Sequence, residues 1–141
     1  MRSLAHDLGE ALGCGGYVGG LVRLRSGPFN LEDAVPMARV QEAHDQGSWQ
    51  ELLKPVDFAV LNMPSVAVSD AAERYIRHGH PVRLPPHVGA YASYMERYRA
   101  YTQDGRFLSV VRFDKPQNQW QPLKVFNLDL PSPYAPTADN N

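Results

Sequence analysis

The 141 residues hold a single cysteine, Cys14. That scarcity excludes an internal disulfide framework and a cysteine-built zinc site, and makes a reducing cytoplasm the expected compartment. No apolar run approaches the ~20 residues needed to span a bilayer. The first residues lack the charged-then-apolar layout of a signal peptide, so no membrane association is expected. Lysine is also scarce: Lys54, Lys115 and Lys124 stand against eleven arginines. The glycine-rich stretch 13–20 has no following Lys-Ser or Lys-Thr, which rules out a phosphate loop of the nucleotide-hydrolase type. No internal repeat is visible.

What is present is unevenly distributed. Residues 1–63 carry five cations against eight acids, whereas residues 64–126 carry nine against five. The later module is therefore basic although the whole chain has a formal net charge of −1. An arginine-rich surface suits phosphate groups and base edges, because the planar guanidinium offers a rigid donor fork. A merely solvated surface reads the same way on charge alone.

Leu4, Leu8, Ala11 and Leu12 recur at helical spacing and predict an amphipathic helix that Gly13 ends. In GYVGGLVRLR, residues 16–25, polar and apolar positions alternate. Leu21, Arg23 and Arg25 fall on one face with Tyr17, while Val18, Val22 and Leu24 fall on the other, so a strand is expected. Ser26, Gly27 and Pro28 stop it. Short helices are expected over 37–46 and near 49–53. A patterned element so close to residue 1 leads one to expect that something belongs upstream, because free termini usually fray.

After Lys54 and Pro55 the pattern changes. Residues 56–61 form a short, mainly apolar run, and Ser69 is placed to cap a helix over 70–78, with Glu73 near the position a capping box would want and Gly79 as its stop. Short strands are expected over 81–84, 94–101, 107–113 and 120–126, with Asp104-Gly105 as a hairpin turn. The tail from Pro131 has the composition of a disordered segment. Three regions follow: 1–53, 54–127 and a tail over 128–141.

RSLAHDLGEALGCGGYVGGLVRLRSGPFNLEDAV, from Arg2 onward, resembles the end of the catalytic domain of the tRNA pseudouridine synthase B family. The DLG at 7–9, the LGCG at 12–15 and the R-x-R-S-G-P-F at 23–29 carry that resemblance. Met1 stands where the family usually has Ile. The second module resembles the family's PUA-like RNA-binding domain, through Ser69-Asp70-Ala71-Ala72, Arg77-His78-Gly79, residues 104–108 and residues 122–126. The fold class this implies is α+β: the C-terminal fragment of a mixed-sheet synthase domain, followed by a small PUA-like β-barrel.

The resemblance implies part of an isomerase that converts a tRNA T-loop uridine to pseudouridine without metal or organic cofactor. It also implies that the catalytic aspartate and a substrate-stacking tyrosine lie upstream. No aspartate in these 141 residues is followed by proline, as the family's catalytic loop requires. Arg2 is the implied partner of that absent aspartate, since a nearby guanidinium keeps a carboxylate ionised in a dehydrated pocket. Leu21 would wall the extruded base. Arg23 and Arg25 would contact phosphates.

In the basic module Arg74, Arg77, Arg83, Arg97, Arg99, Arg106 and Lys124 lie among Tyr75, Tyr91, Tyr94, Tyr98 and Tyr101. Arg74, Arg77, Arg83, Arg99, Arg106 and Lys124 are the candidate RNA contacts, with the tyrosines as possible stacking faces. His78 and His80, with His87, suggest a metal only superficially, because no carboxylate or cysteine completes the set. The expected partners are tRNA and an N-terminal catalytic segment, and the chain alone is expected to be inactive. Two other readings stay open: a stand-alone RNA-binding module that has shed catalysis, and a truncated product that aggregates through Leu4, Leu8, Leu12, Val18 and Val22.

Overall fold

The helical stripe near the N-terminus forms as its spacing dictates. In a computed structural model that describes residues 1–85, 88 and 96–136, α1 spans Arg2–Ala11, capped by Leu12, and Gly13 follows at φ 69°. The chain then folds back so closely on α1 that a Cβ on Gly9 would lie 2.2 Å from the Gly15 carbonyl carbon. Only glycine permits that approach.

The alternation over 16–25 does not become a strand. Pairing is confined to β1, Arg25–Ser26, and β2, Phe29–Asn30, joined through Gly27 at φ 60°. One further bond, from Leu31 N–H to the Leu24 carbonyl at 2.8 Å, extends this hairpin. A ladder needs a partner, and among the described residues none lies beside 17–23. These elements make up one compact unit, Met1–Ala34.

The second unit, Val35–Asn141, begins with α2 over Met37–Asp45 and a 3₁₀ turn over Trp49–Leu52. The structure thus groups residues 35–53 with the later module. The apolar run after Pro55 is another 3₁₀ turn, Val56–Val60. Four strands form one mixed sheet in the order β3, β4, β5, β6: Ser65–Ala67, Arg97–Tyr101, Phe107–Asp114 and Gln119–Val125. The first pair is parallel and the others antiparallel. Gly105, at φ 83°, turns β4 into β5 as the Asp-Gly signal required. Pro122 lies in β6 beside a register irregularity, where its missing N–H costs no regular ladder bond.

Helix α3, Asp70–Arg77, follows β3. Ser69 caps it by accepting from the Ala72 N–H at 3.4 Å, but no capping box forms, because Ala72 holds the third helical position and Glu73, one residue later, pairs with Arg77. Residues 81–84 contribute a single bridge, Val82 to Trp120, in place of a strand. Ile76 of α3 joins Val82, Leu108, Val111, Phe113 and Trp120 in the core. Among the described residues this sheet is open, and the expected closed barrel is not seen.

The tail departs from expectation too. Ser132 N–H donates to the Gly105 carbonyl at 2.9 Å, and Tyr134 packs its ring 6.1 Å from that of Phe58. Residues 131–136 are held by backbone bonding and aromatic packing that composition alone does not reveal. Residues 137–141 lie outside the described part.

Candidate functional site

In the first unit the candidate residues all lie at the surface. Arg2 is exposed in the first turn of α1, and Leu21, at 62% exposure, is solvated for an aliphatic side chain. Arg23 and Arg25 are exposed as well, and Arg25 donates from Nε to the Gly27 carbonyl at 2.8 Å. Because residues 17–24 form no ladder, Leu21, Arg23 and Arg25 do not share the strand face that alternation suggested. Cys14 is also exposed, with its thiol near the Gly15 carbonyl.

The arginines of the second unit fall into different groups. Arg99 lies inside the fold at 8% exposure, contrary to its expected place on an RNA face. Its Nε donates to the Met63 carbonyl and its Nη1 to the Tyr101 hydroxyl, both at 2.9 Å. Tyr101 in turn donates to Asp57 Oδ2 at 2.6 Å, and Ser132 Oγ donates to the same oxygen at 2.5 Å. Asp57 and Tyr101 are both fully buried. Burial first, and the bond to Asp57 second, push the Tyr101 phenol well above its ordinary range. This chain of polar groups joins the 56–60 turn, β4 and the tail, so its role is to hold the unit together.

At the surface, Arg77 is engaged with Glu73 at 2.7 Å and donates to Asn127 at 2.9 Å. Arg106 pairs with Asp104 at 2.8 Å. The Thr102 hydroxyl and, after it, Arg106 hold the Asp104 carboxyl below its usual value. Arg74, Arg83 and Lys124 are exposed and have no ion-pair partner among the described residues. Among the candidate RNA contacts, these three are the ones not already engaged in an ion pair or buried.

Of the candidate stacking tyrosines, Tyr98 packs edge-on to Trp120 with ring centres 4.6 Å apart, and Tyr101 is internal. Tyr91, Tyr94 and His87 lie outside the described residues. Tyr75 stands at the surface, beside His78 and His80. Among the described residues no three metal-ligating side chains converge. The Asp57–Tyr101–Ser132 contacts, 44 and 75 residues apart in the chain, carry no local sequence signal. The isolated acid in an apolar run at 56–60 was the single hint.

The fold places the chain in a class. It superposes on a solved H/ACA ribonucleoprotein bound to a substrate RNA containing 2′-deoxyuridine, with TM-score 0.61 and 20% identity, over 96% of this chain and 48% of that one. The archaeal box H/ACA Nop10-Cbf5 complex gives TM-score 0.58 and 22% identity, over 96% and 49%. At such identities the likeness is one of fold: the α+β architecture found in the protein chains of those particles.

Sequence narrows this to a family. Residues 2–61 match the family model for the tRNA pseudouridylate synthase B C-terminal domain. The tRNA pseudouridine synthase B of Dehalococcoides mccartyi is 32% identical over 135 residues, 96% of this chain and 43% of that protein. Its Pseudomonas aeruginosa counterpart is 34% identical over 113 residues, 78% of this chain and 36% of that protein. The chain corresponds to the C-terminal part of the tRNA pseudouridine synthase B family, and it spans less than half the length of these relatives.

Proposed function

We propose that these residues form the RNA-gripping end of a tRNA pseudouridine synthase acting on a T-loop uridine in the cytoplasm. The observation that carries this reading is the similarity over nearly the whole chain to the synthase of Dehalococcoides mccartyi. The reaction breaks the bond between uracil N1 and the ribose, turns the base in place and rejoins it through C5, which gives up its hydrogen to solvent while N1 takes up a proton. In this reading Arg2 stands beside a catalytic aspartate supplied by a separate segment and keeps it ionised. Leu21 offers an apolar wall to the flipped base, and Arg23 and Arg25 hold flanking phosphates.

The β3–β6 sheet with α3 is a PUA-like module on this view, and Arg74, Arg83 and Lys124 are its contacts to tRNA. Arg77 and Arg106 can add to the local positive potential but are already paired. Because none of the aspartates here precedes a proline, the 141-residue chain should bind tRNA and not turn it over. Tritium release from tRNA labelled at uridine C5 tests this directly. None is expected from the chain alone, whereas release at a rate above background would show that catalysis resides within it. Tight, salt-sensitive tRNA binding with no turnover, even when a catalytic segment is added, would favour a binding module that has left catalysis behind.

A further inference from the structure

Helix α3 ends in a Schellman motif. The Gly79 N–H donates to the Ile76 carbonyl at 2.9 Å and the His80 N–H to the Tyr75 carbonyl at 3.0 Å, with Gly79 at φ 76°. The motif folds His80 back over the last turn. Its ring centre lies 6.4 Å from Tyr75 in an edge-on arrangement and 6.4 Å from His78 in a stacked one. The three rings and Arg74 line an open cleft of about 380 Å³, at the small end of the ~300–1,000 Å³ range for ligand pockets. His78 is fixed by its Nδ1, 2.7 Å from the Arg74 carbonyl. A carbonyl only accepts, so Nδ1 carries the hydrogen, and Nε2 of the neutral ring is left as an acceptor.

We propose that this cleft is a subsite for one unpaired nucleotide of a single-stranded RNA segment, its base stacked on the exposed Tyr75 ring with His80 against its edge, and its phosphate on Arg74. The inference rests on the reading of the module as RNA-binding and assigns it a contact point. Three features converge on a nucleotide. Tyr75 leaves 60% of its surface to solvent beside two imidazoles, which offers π-faces to any base. Arg74 has no ion-pair partner among the described residues, whereas its neighbour Arg77 is bound to Glu73. His78 Nε2 can accept from a base N–H or a ribose hydroxyl.

The test uses the full 141-residue chain and a fluorescein-labelled eight-nucleotide oligoribonucleotide, read by anisotropy and repeated with the same strand in a duplex. Y75A should weaken single-strand binding by about 5- to 150-fold, as loss of one stacked base does, with Y75F close to wild type. R74Q should flatten the slope of log affinity against log salt by about 0.7. Both positions are exposed, so melting temperatures should not move. Single-strand binding that is unchanged in both variants, absent from the wild type, or lost equally for the duplex would overturn the subsite. Oligonucleotide binding that fails as expected in the variants, from a wild-type chain with no affinity for tRNA, would keep the subsite and overturn the tRNA reading instead.

Discussion

Asp57 shows how much a single buried carboxylate can organise. Its Oδ2 accepts from Tyr101 and Ser132, and Tyr101 accepts from Arg99, so three distant parts of the chain meet at two oxygen atoms. Buried donors and acceptors are costly when a partner is removed. Y101F should therefore destabilise the chain by about 1–3 kcal/mol, read as a lower urea midpoint at neutral pH. S132A, which leaves Tyr101 in place, should cost less. The phenol also sets a pH dependence. Folding raises its pKa above the ordinary value of 10.0, so the unfolded chain gives up this proton at a lower pH than the folded one. Tyr101's contribution is then complete below about pH 10 and is lost as pH rises through the folded value. Stability should fall more steeply above pH 10 in wild type than in Y101F. Equal slopes in the two proteins would remove Tyr101 from the alkaline response.

Helix α3 is the element in which local chemistry decides most. Ser69 at one end and Gly79 at the other are each chosen by backbone geometry. G79A forces an alanine into the left-handed region and should cost about 1–2 kcal/mol. It should also disturb the His80 backbone bond, visible as a change in His80 ring NMR shifts. S69A should cost about 0.5–1 kcal/mol, toward the low end because its bond is 3.4 Å long. Signals of this kind are why α1, α3, β5 and β6 were legible in the sequence to within a residue or two, whereas β4, expected over 94–101, is Arg97–Tyr101, with residues 94 and 95 outside the described part. Long-range pairing was not. The alternation at 16–25 matches a strand, but strands exist through partners, and there the ladder is two residues long. Strand β3 is too short, at three residues, to leave a pattern. Arg99 was misplaced for a related reason. Arg99, Ala100 and Tyr101 are buried in succession beside a register irregularity, so alternation, which turns every second residue to solvent, fails there. For the candidate site, the sequence located the basic module, but the sorting of its arginines into paired, buried and free needed coordinates.

At the scale of the whole molecule, two surfaces ask for company of opposite kinds. The free cations of the second unit call for a polyanion. Each phosphate contact should contribute roughly −0.7 to −0.9 to the slope of log tRNA affinity against log salt, and R83Q should flatten that slope by about this amount. The first unit presents the other surface. Leu4, Leu8 and Leu12 along α1, with Leu21, Val22 and Leu24 after it, are each 58–69% exposed. Exposed apolar side chains in such number favour self-association. L4Q/L8Q should therefore lower dye binding by exposed apolar surface and shift sedimentation toward monomer. Because both side chains are already solvated in the fold, the melting temperature should hardly change. If the substitutions instead lowered it by many degrees, these leucines would be packing within their own chain, and the first unit would offer no apolar surface. If the dye signal falls while tRNA binding is retained, the apolar side chains of the first unit take no part in that binding.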